Sequence, residues 1–126
     1  MRILMVDDNP DALKVLSAFL KSLGHRVEAC ETGREAILWL DDLKPELIMT
    51  DLEMPDMDGY GVLDAVRARS QFRQIPILCV TGLDTALEEL LARGFQAVLR
   101  KPITLADVMH SIEEVTRAQT ASFMGE

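Results

Sequence analysis

The sequence predicts an α/β fold, an open parallel sheet of five strands with helices on both faces. Three observations predict it. Ile3–Val6, Leu47–Met49, Ile77–Val80 and Ala97–Leu99 are short runs apolar at every position, each bounded by polar, Gly or Pro residues. Such runs suit strands covered on both faces. Between them lie longer stretches with apolar residues at helical spacing. With a less apolar fifth strand this makes five β-then-α units, which right-handed crossovers wind into an open sheet and which are too few for an eight-stranded barrel.

The elements follow in order. After Ile3–Val6, Asn9-Pro10-Asp11 supplies an N-cap, a proline at the first helical position and an acid in the first turn. Leu13, Leu16, Phe19, Leu20 and Leu23 then recur at helical spacing until Gly24. Arg26–Glu31 alternates, with Val27 and Ala29 between polar neighbours, and reads as an edge strand. Thr32-Gly33-Arg34-Glu35 has capping-box spacing ahead of Ala36, Ile37, Trp39 and Leu40, and Pro45 closes that unit. The third helix is expected from near Tyr60, carrying Val62, Leu63 and Val66. The fourth takes Asp84 as its N-cap, turns Leu87, Leu90 and Leu91 inward and stops at Gly94. The fifth begins at Thr104, with Asp107 three residues on, and buries Leu105, Val108, Met109, Ile112 and Val115. From about Gln119 to Glu126 no period is sustained, so an irregular tail is expected after one domain over residues 1–118.

Composition agrees with a chain that folds by itself: 126 residues, 48% hydrophobic and 27% charged. The formal charge is −8, and the basic residues are scattered singly among acids. That argues against direct nucleic-acid binding, which needs clustered Lys and Arg. No apolar run approaches the roughly 20 residues of a membrane span. The start of the chain is too short and too acidic for a signal peptide, so a cytoplasmic protein without membrane contact is expected. Cys30 and Cys79 lack CxxC spacing and read as buried free thiols.

In an open parallel sheet, ligands sit beyond the carboxyl ends of the strands. Asp7 and Asp8 follow the first run, Asp51 the third strand, Thr81 the fourth and Lys101 the fifth. Three carboxylates brought together repel one another unless a cation neutralises them, and a hard ion held by carboxylates and water is the Mg²⁺ pattern. Lys101 and Thr81 have a role there only if an anion arrives. A carboxylate can itself become a nucleophile and carry a phosphoryl group as an acyl phosphate. Any one of these residues alone would be an ordinary turn or surface group; all of them together supply what one reaction needs.

Val6-Asp7-Asp8, the segment Asp51-Leu52-Glu53-Met54-Pro55-Asp56-Met57-Asp58-Gly59, Thr81-Gly82 and Lys101-Pro102 closely resemble the receiver domain of two-component response regulators. The resemblance implies a flavodoxin-like sheet of order 2-1-3-4-5. It implies Asp51 as phosphoacceptor, Asp8 and Asp51 as direct Mg²⁺ ligands, Asp7 as a ligand through water and the Glu53 backbone carbonyl as the remaining protein ligand. Thr81 matches the switch hydroxyl and Lys101 the phosphate-pairing lysine. A cis Lys101–Pro102 peptide is implied as well. In that strand order Cys30 and Cys79 stand three strand spacings apart, on the order of 14 Å, too far for a disulfide.

The implied function is a signalling switch that takes a phosphoryl group from a sensor histidine kinase or a histidine phosphotransfer protein. It would signal through the face of the fourth helix, fifth strand and fifth helix to a downstream protein target, or to an effector domain beyond Glu126. No enzymatic activity beyond self-phosphotransfer and autodephosphorylation is expected. Met1 stands directly before the first strand, so the domain is expected to begin its chain rather than to close a hybrid kinase. Two departures stand out. Val98 occupies the position, three before the lysine, where the family usually has Tyr or Phe, and Glu53 places a carboxylate beside the phosphorylation site. A phosphorylation-independent scaffold of the same fold is the alternative. A metal-dependent phosphohydrolase fits less well, since Glu53 stands where such enzymes carry a second Asp and the chain has no room for a cap domain.

Overall fold

The computed structural model describes residues 1–123. Five strands alternate with five helices: β1 (Arg2–Val6), α1 (Pro10–Ser22), β2 (Arg26–Cys30), α2 (Gly33–Leu43), β3 (Leu47–Asp51), α3 (Gly59–Arg67), β4 (Ile77–Thr81), α4 (Leu87–Arg93), β5 (Ala97–Arg100) and α5 (Leu105–Phe123). A 3₁₀ turn at Ser70–Phe72 follows α3. All strand pairs are parallel, as the apolar runs predict, and the order is β2-β1-β3-β4-β5, as the resemblance implies.

Each interior strand sends alternate residues to opposite faces. Leu4, Val6, Ile48, Ile77 and Cys79 join Ala36, Leu40, Leu43, Val62, Leu63, Val66 and Leu90 in one core, under α2, α3 and α4. Ile3, Met5, Leu47, Met49, Leu78, Val80 and Leu99 join Leu13, Leu20, Val108, Ile112 and Val115 in the other, under α1 and α5. This is why runs without alternation form strands here: both faces are dry. Cys30 and Cys79 are buried and free, on β2 and β4 with two strands between them. Burial pushes both thiols up to about 12, so neither is a nucleophile at neutral pH.

The helix starts divide into two kinds. Asn9 caps α1, its side chain accepting from the N–H groups of Asp11 and Ala12, with Pro10 in place. Thr32 caps α2 through Glu35 N–H, and Asp58 caps α3 through Gly61 N–H. Thr104 and Asp107 bond reciprocally, each side chain accepting from the other's N–H. The fourth start differs from expectation: Asp84 is not the N-cap. Ala86 holds that position and no side chain caps the helix. The guanidinium of Arg100, on β5, donates to the carbonyls of Leu83 and Thr85 and keeps the segment before Leu87 out of the helix.

Four apolar expectations also fail in the same region. Leu87 and Leu91 are 47% and 42% exposed, and of α4 only Leu90 is buried. Leu105 and Met109 of α5 are exposed too. Both helices flank β5, the edge strand, so less sheet lies beneath them and the buried stripe narrows. Leu23 is exposed, because it is the C-cap of α1 rather than part of its inward stripe. The tail expected to be irregular from Gln119 is helical through Phe123: no Gly or Pro interrupts Leu105–Phe123, and Ala118, Gln119 and Ala121 favour propagation. Residues 124–126 lie outside the described residues.

At the opposite end of the sheet from the strand carboxyl ends, Arg67 works, among the described residues, without a carboxylate partner. Its guanidinium donates to the carbonyls of Phe72, Ile75 and Gly94 and to Gln96 Oε1. It thereby ties the end of α3 to the 3₁₀ turn and to the chain that follows α4. Burial lowers its pKa, yet arginine stays charged.

Candidate functional site

The last residue of β3, Asp51, is 4% exposed, and β1 delivers Asp7 and Asp8 beside it through its pairing with β3. Carboxylate oxygens of Asp7, Asp8 and Asp51 all lie within 4.8 Å of one another. Asp7 is oriented by Asn9, whose N–H donates to Asp7 Oδ1 at 2.9 Å, so the cap of α1 and the acidic cluster share one turn. Lys101 follows β5, and its Nζ stands 3.1 Å from Asp51 Oδ2. Its backbone N–H donates to the Thr81 carbonyl, and the Lys101–Pro102 peptide is cis.

The four strand ends singled out in the sequence therefore converge. Thr81 is fully buried at the end of β4, and its hydroxyl accepts from Leu83 N–H at 3.0 Å. That is the only side-chain hydrogen bond Thr81 makes among the described residues, which leaves the hydroxyl proton free to donate. The Glu53 side chain is exposed and outside the carboxylate cluster. Val98, half-buried, packs against the α2–α4 core. Met5 and Met54 are buried and Met57 packs against the same core as Val98, so the methionines fill space.

Electrostatics in the site are dominated by burial. Burial raises the Asp51 carboxyl above the ordinary range; Lys101 pulls it down in part, and Asp7 and Asp8 push it up further. Burial alone would lower Lys101, but its hydrogen bond to Asp51 and the charges of Asp51, Asp7 and Asp8 together hold it above its usual value. The pair is thus a neutralised anion and cation with two further anions at its edge, a site short of positive charge.

The loop after Asp51 is held tightly. Gly59 N–H donates to the Leu52 carbonyl, and a Cβ on Gly59 would lie 2.6 Å from the Asp51 carbonyl oxygen. Asp56 adopts φ 73°, a left-handed conformation, and its carboxylate pairs with Arg34 at the start of α2. Neither this ion pair nor the Arg100 contacts were among the residues singled out in the sequence. Arg34 and Asp56 are too far apart along the chain to signal a pair, whereas Arg100 was adjacent to Lys101 and could have been found by asking what else leaves β5.

The response regulator receiver domain model matches residues 3–113. The chain belongs to this family. The signal transduction histidine-protein kinase BarA of Shigella flexneri is 36% identical over 105 residues, which are 82% of this chain and 11% of that protein. The two-component response regulator ARR15 of Arabidopsis thaliana is 31% identical, over 96% of this chain and 65% of its own length. This receiver domain therefore spans about a tenth of one relative and under two thirds of the other. Among solved structures, chemotaxis protein CheY4 of Vibrio cholerae superposes with a TM-score of 0.84 at 29% identity, covering 90% of this chain and 97% of that one. The receiver domain of sensor histidine kinase PA1611 from Pseudomonas aeruginosa, solved with a magnesium ion in its active-site cleft, gives 0.80 at 31% identity, covering 90% and 94%. Among the described residues no helix is long and apolar enough to cross a membrane.

Proposed function

We propose that this receiver domain is a phosphorylation-controlled switch whose acceptor is Asp51. The observation that carries the reading is one buried carboxylate placed between a lysine ammonium and two further acids. The donor is a phosphohistidine of a sensor histidine kinase or a histidine phosphotransfer protein. An Asp51 carboxylate oxygen forms the new O–P bond as the N–P bond breaks, and the departing imidazole nitrogen keeps the electron pair and takes a proton from solvent. Lys101 then pairs with a phosphoryl oxygen, and the free proton of Thr81 donates to another.

The acidic cluster suits a hard divalent cation, because carboxylates this close are mutually repulsive and all their donors are oxygens. Asp8 and Asp51 would hold Mg²⁺ directly, Asp7 through water, with the Glu53 backbone carbonyl as a further ligand. Bound there, Mg²⁺ supplies the positive charge this site lacks and steadies the oxygens of the transferred group. Output passes through the face of α4, β5 and α5, where Leu87 and Leu91 stand exposed one turn apart. The domain works in the cytoplasm on protein partners.

Intact-mass analysis after acetyl phosphate or phosphoramidate with Mg²⁺ should show one added phosphate on the wild type and none on Asp51→Asn. Equal labelling of the variant would overturn the assignment.

A further inference from the structure

The segment before α4 encodes a helix start that the structure does not use. Thr85-Ala86-Leu87-Glu88 has the Ser/Thr-x-x-Glu spacing of a capping box. Yet α4 has Ala86 at its N-cap and no side-chain cap. Among the described residues neither the Thr85 hydroxyl nor the Glu88 carboxylate makes a hydrogen bond.

Arg100 accounts for this. A Thr85 cap needs the Thr85 carbonyl to accept the first helical N–H, that of Glu89. Instead that carbonyl accepts from Arg100 Nη2 at 2.6 Å, and Glu89 N–H turns to the Ala86 carbonyl at 3.1 Å. Arg100 Nη1 simultaneously holds the Leu83 carbonyl at 2.7 Å. Leu83 is also tied to the site, because its N–H donates to Thr81 Oγ1 at 3.0 Å. One residue, Leu83, thus joins the hydroxyl of Thr81 to the guanidinium of Arg100.

We propose that Arg100 is a latch holding α4 one residue short of its encoded start, and that closure of Thr81 on a phosphoryl group at Asp51 releases it. The second half rests on the reading of Asp51 as phosphoacceptor; the first does not. When Thr81 swings to the phosphoryl oxygen, the Leu83 N–H bond breaks and Leu83 shifts, taking its carbonyl from Arg100. The guanidinium keeps one of its two anchors and faces a group carrying about −1.5 to −2 charge next to Lys101. It leaves Thr85, whose carbonyl and hydroxyl then serve α4 as an N-cap with Glu88 closing the box. Such a path needs no aromatic ring at Val98, because a fork of two guanidinium bonds does the coupling.

The test follows backbone ¹³Cα shifts and amide exchange at residues 85–89 by NMR in the full chain, with beryllofluoride plus Mg²⁺ as the phosphoryl mimic. Arg100→Ala without the mimic should move Ala86 and Leu87 toward helical shifts and slow exchange of the Glu88 amide about fivefold, the value of one cap. Arg100→Ala combined with Thr85→Val should lose both effects. Unchanged shifts and exchange in Arg100→Ala would overturn the latch. In the wild type the mimic should produce the same signature. A bound mimic, seen by its ¹⁹F signal, with residues 85–89 unchanged would overturn the coupling to phosphorylation. A mimic that fails to bind would instead count against Asp51 as acceptor and leave the Arg100→Ala result to decide the latch.

Discussion

Two helices start beside the same site and are held in opposite ways. α1 begins immediately after Asp7 and Asp8, and its cap, Asn9, makes three local bonds: two as acceptor and one from its own N–H to Asp7. α4 begins six residues beyond Thr81, has no side-chain cap and owes the shape of its leading segment to Arg100 on another strand. The Asp7–Asp8 side of the site is therefore built by residues adjacent in sequence, and the hydroxyl side by a contact across the fold. Local caps set a geometry that does not depend on what happens elsewhere. A long-range clamp can be undone from a distance, which is what a switch requires.

The sharpest way to break the fixed side is Gly59→Ala. A Cβ there would meet the Asp51 carbonyl oxygen at 2.6 Å and Leu52 Cα at 2.8 Å, both backbone, so the loop after Asp51 must move. A loss of about 3 kcal/mol is expected in urea unfolding, with slower acetyl phosphate labelling. Gly82→Ala, on the movable side, would meet only the Lys101 Cβ at 3.9 Å and should change stability by less than about 0.5 kcal/mol. Similar losses in both would erase the distinction drawn here.

A smaller contrast sets cap against cap. Asn9→Ala should cost about 1 kcal/mol, whereas Thr85→Ala should cost close to nothing in the unphosphorylated protein, because its hydroxyl is not in use. Chemical denaturation of the two variants decides the matter.

Asp51→Asn sharpens the same picture through pH. Because burial raises the folded carboxyl above its unfolded value, ionised Asp51 destabilises the metal-free fold. The variant should melt roughly 2–4 °C higher at neutral pH. The gap should be full above the folded pKa and vanish below the unfolded one, where both side chains are neutral. Mg²⁺ should close it by stabilising the wild type alone. A variant that melts lower than wild type at neutral pH without metal would show that the Lys101 pairing outweighs burial.

What was legible in the sequence divides along the same line. The strands and the gathering of Asp7, Asp8, Asp51, Thr81 and Lys101 at their carboxyl ends follow from runs that need two dry faces and from where such strands must end, whereas the strand order is what the resemblance to receiver domains implies. The starts of α1, α2 and α5 were legible because capping is local, and Asn9, Thr32 and Thr104 each bond within three residues. Asp84 failed as a cap because its segment answers to Arg100, and nothing near it in sequence says so. Leu87 and Leu91 failed as core residues because periodicity records a helix face but not whether a neighbour lies under it. Arg67 escaped notice for the same reason, its partners being carbonyls that only the folded chain brings together.

Arg67 has a mechanical consequence for α4. By gripping the Gly94 carbonyl and the Gln96 side chain, it makes the far end of the helix a pivot. At about 1.5 Å of rise per residue, Leu91 sits on the order of 4.5 Å from that pivot and Leu87 about 10 Å. Any tilt of α4 then sweeps Leu87 through roughly twice the arc of Leu91. The helix is a lever with its fulcrum away from Asp51, and a partner resting on Leu87 would feel the longer stroke.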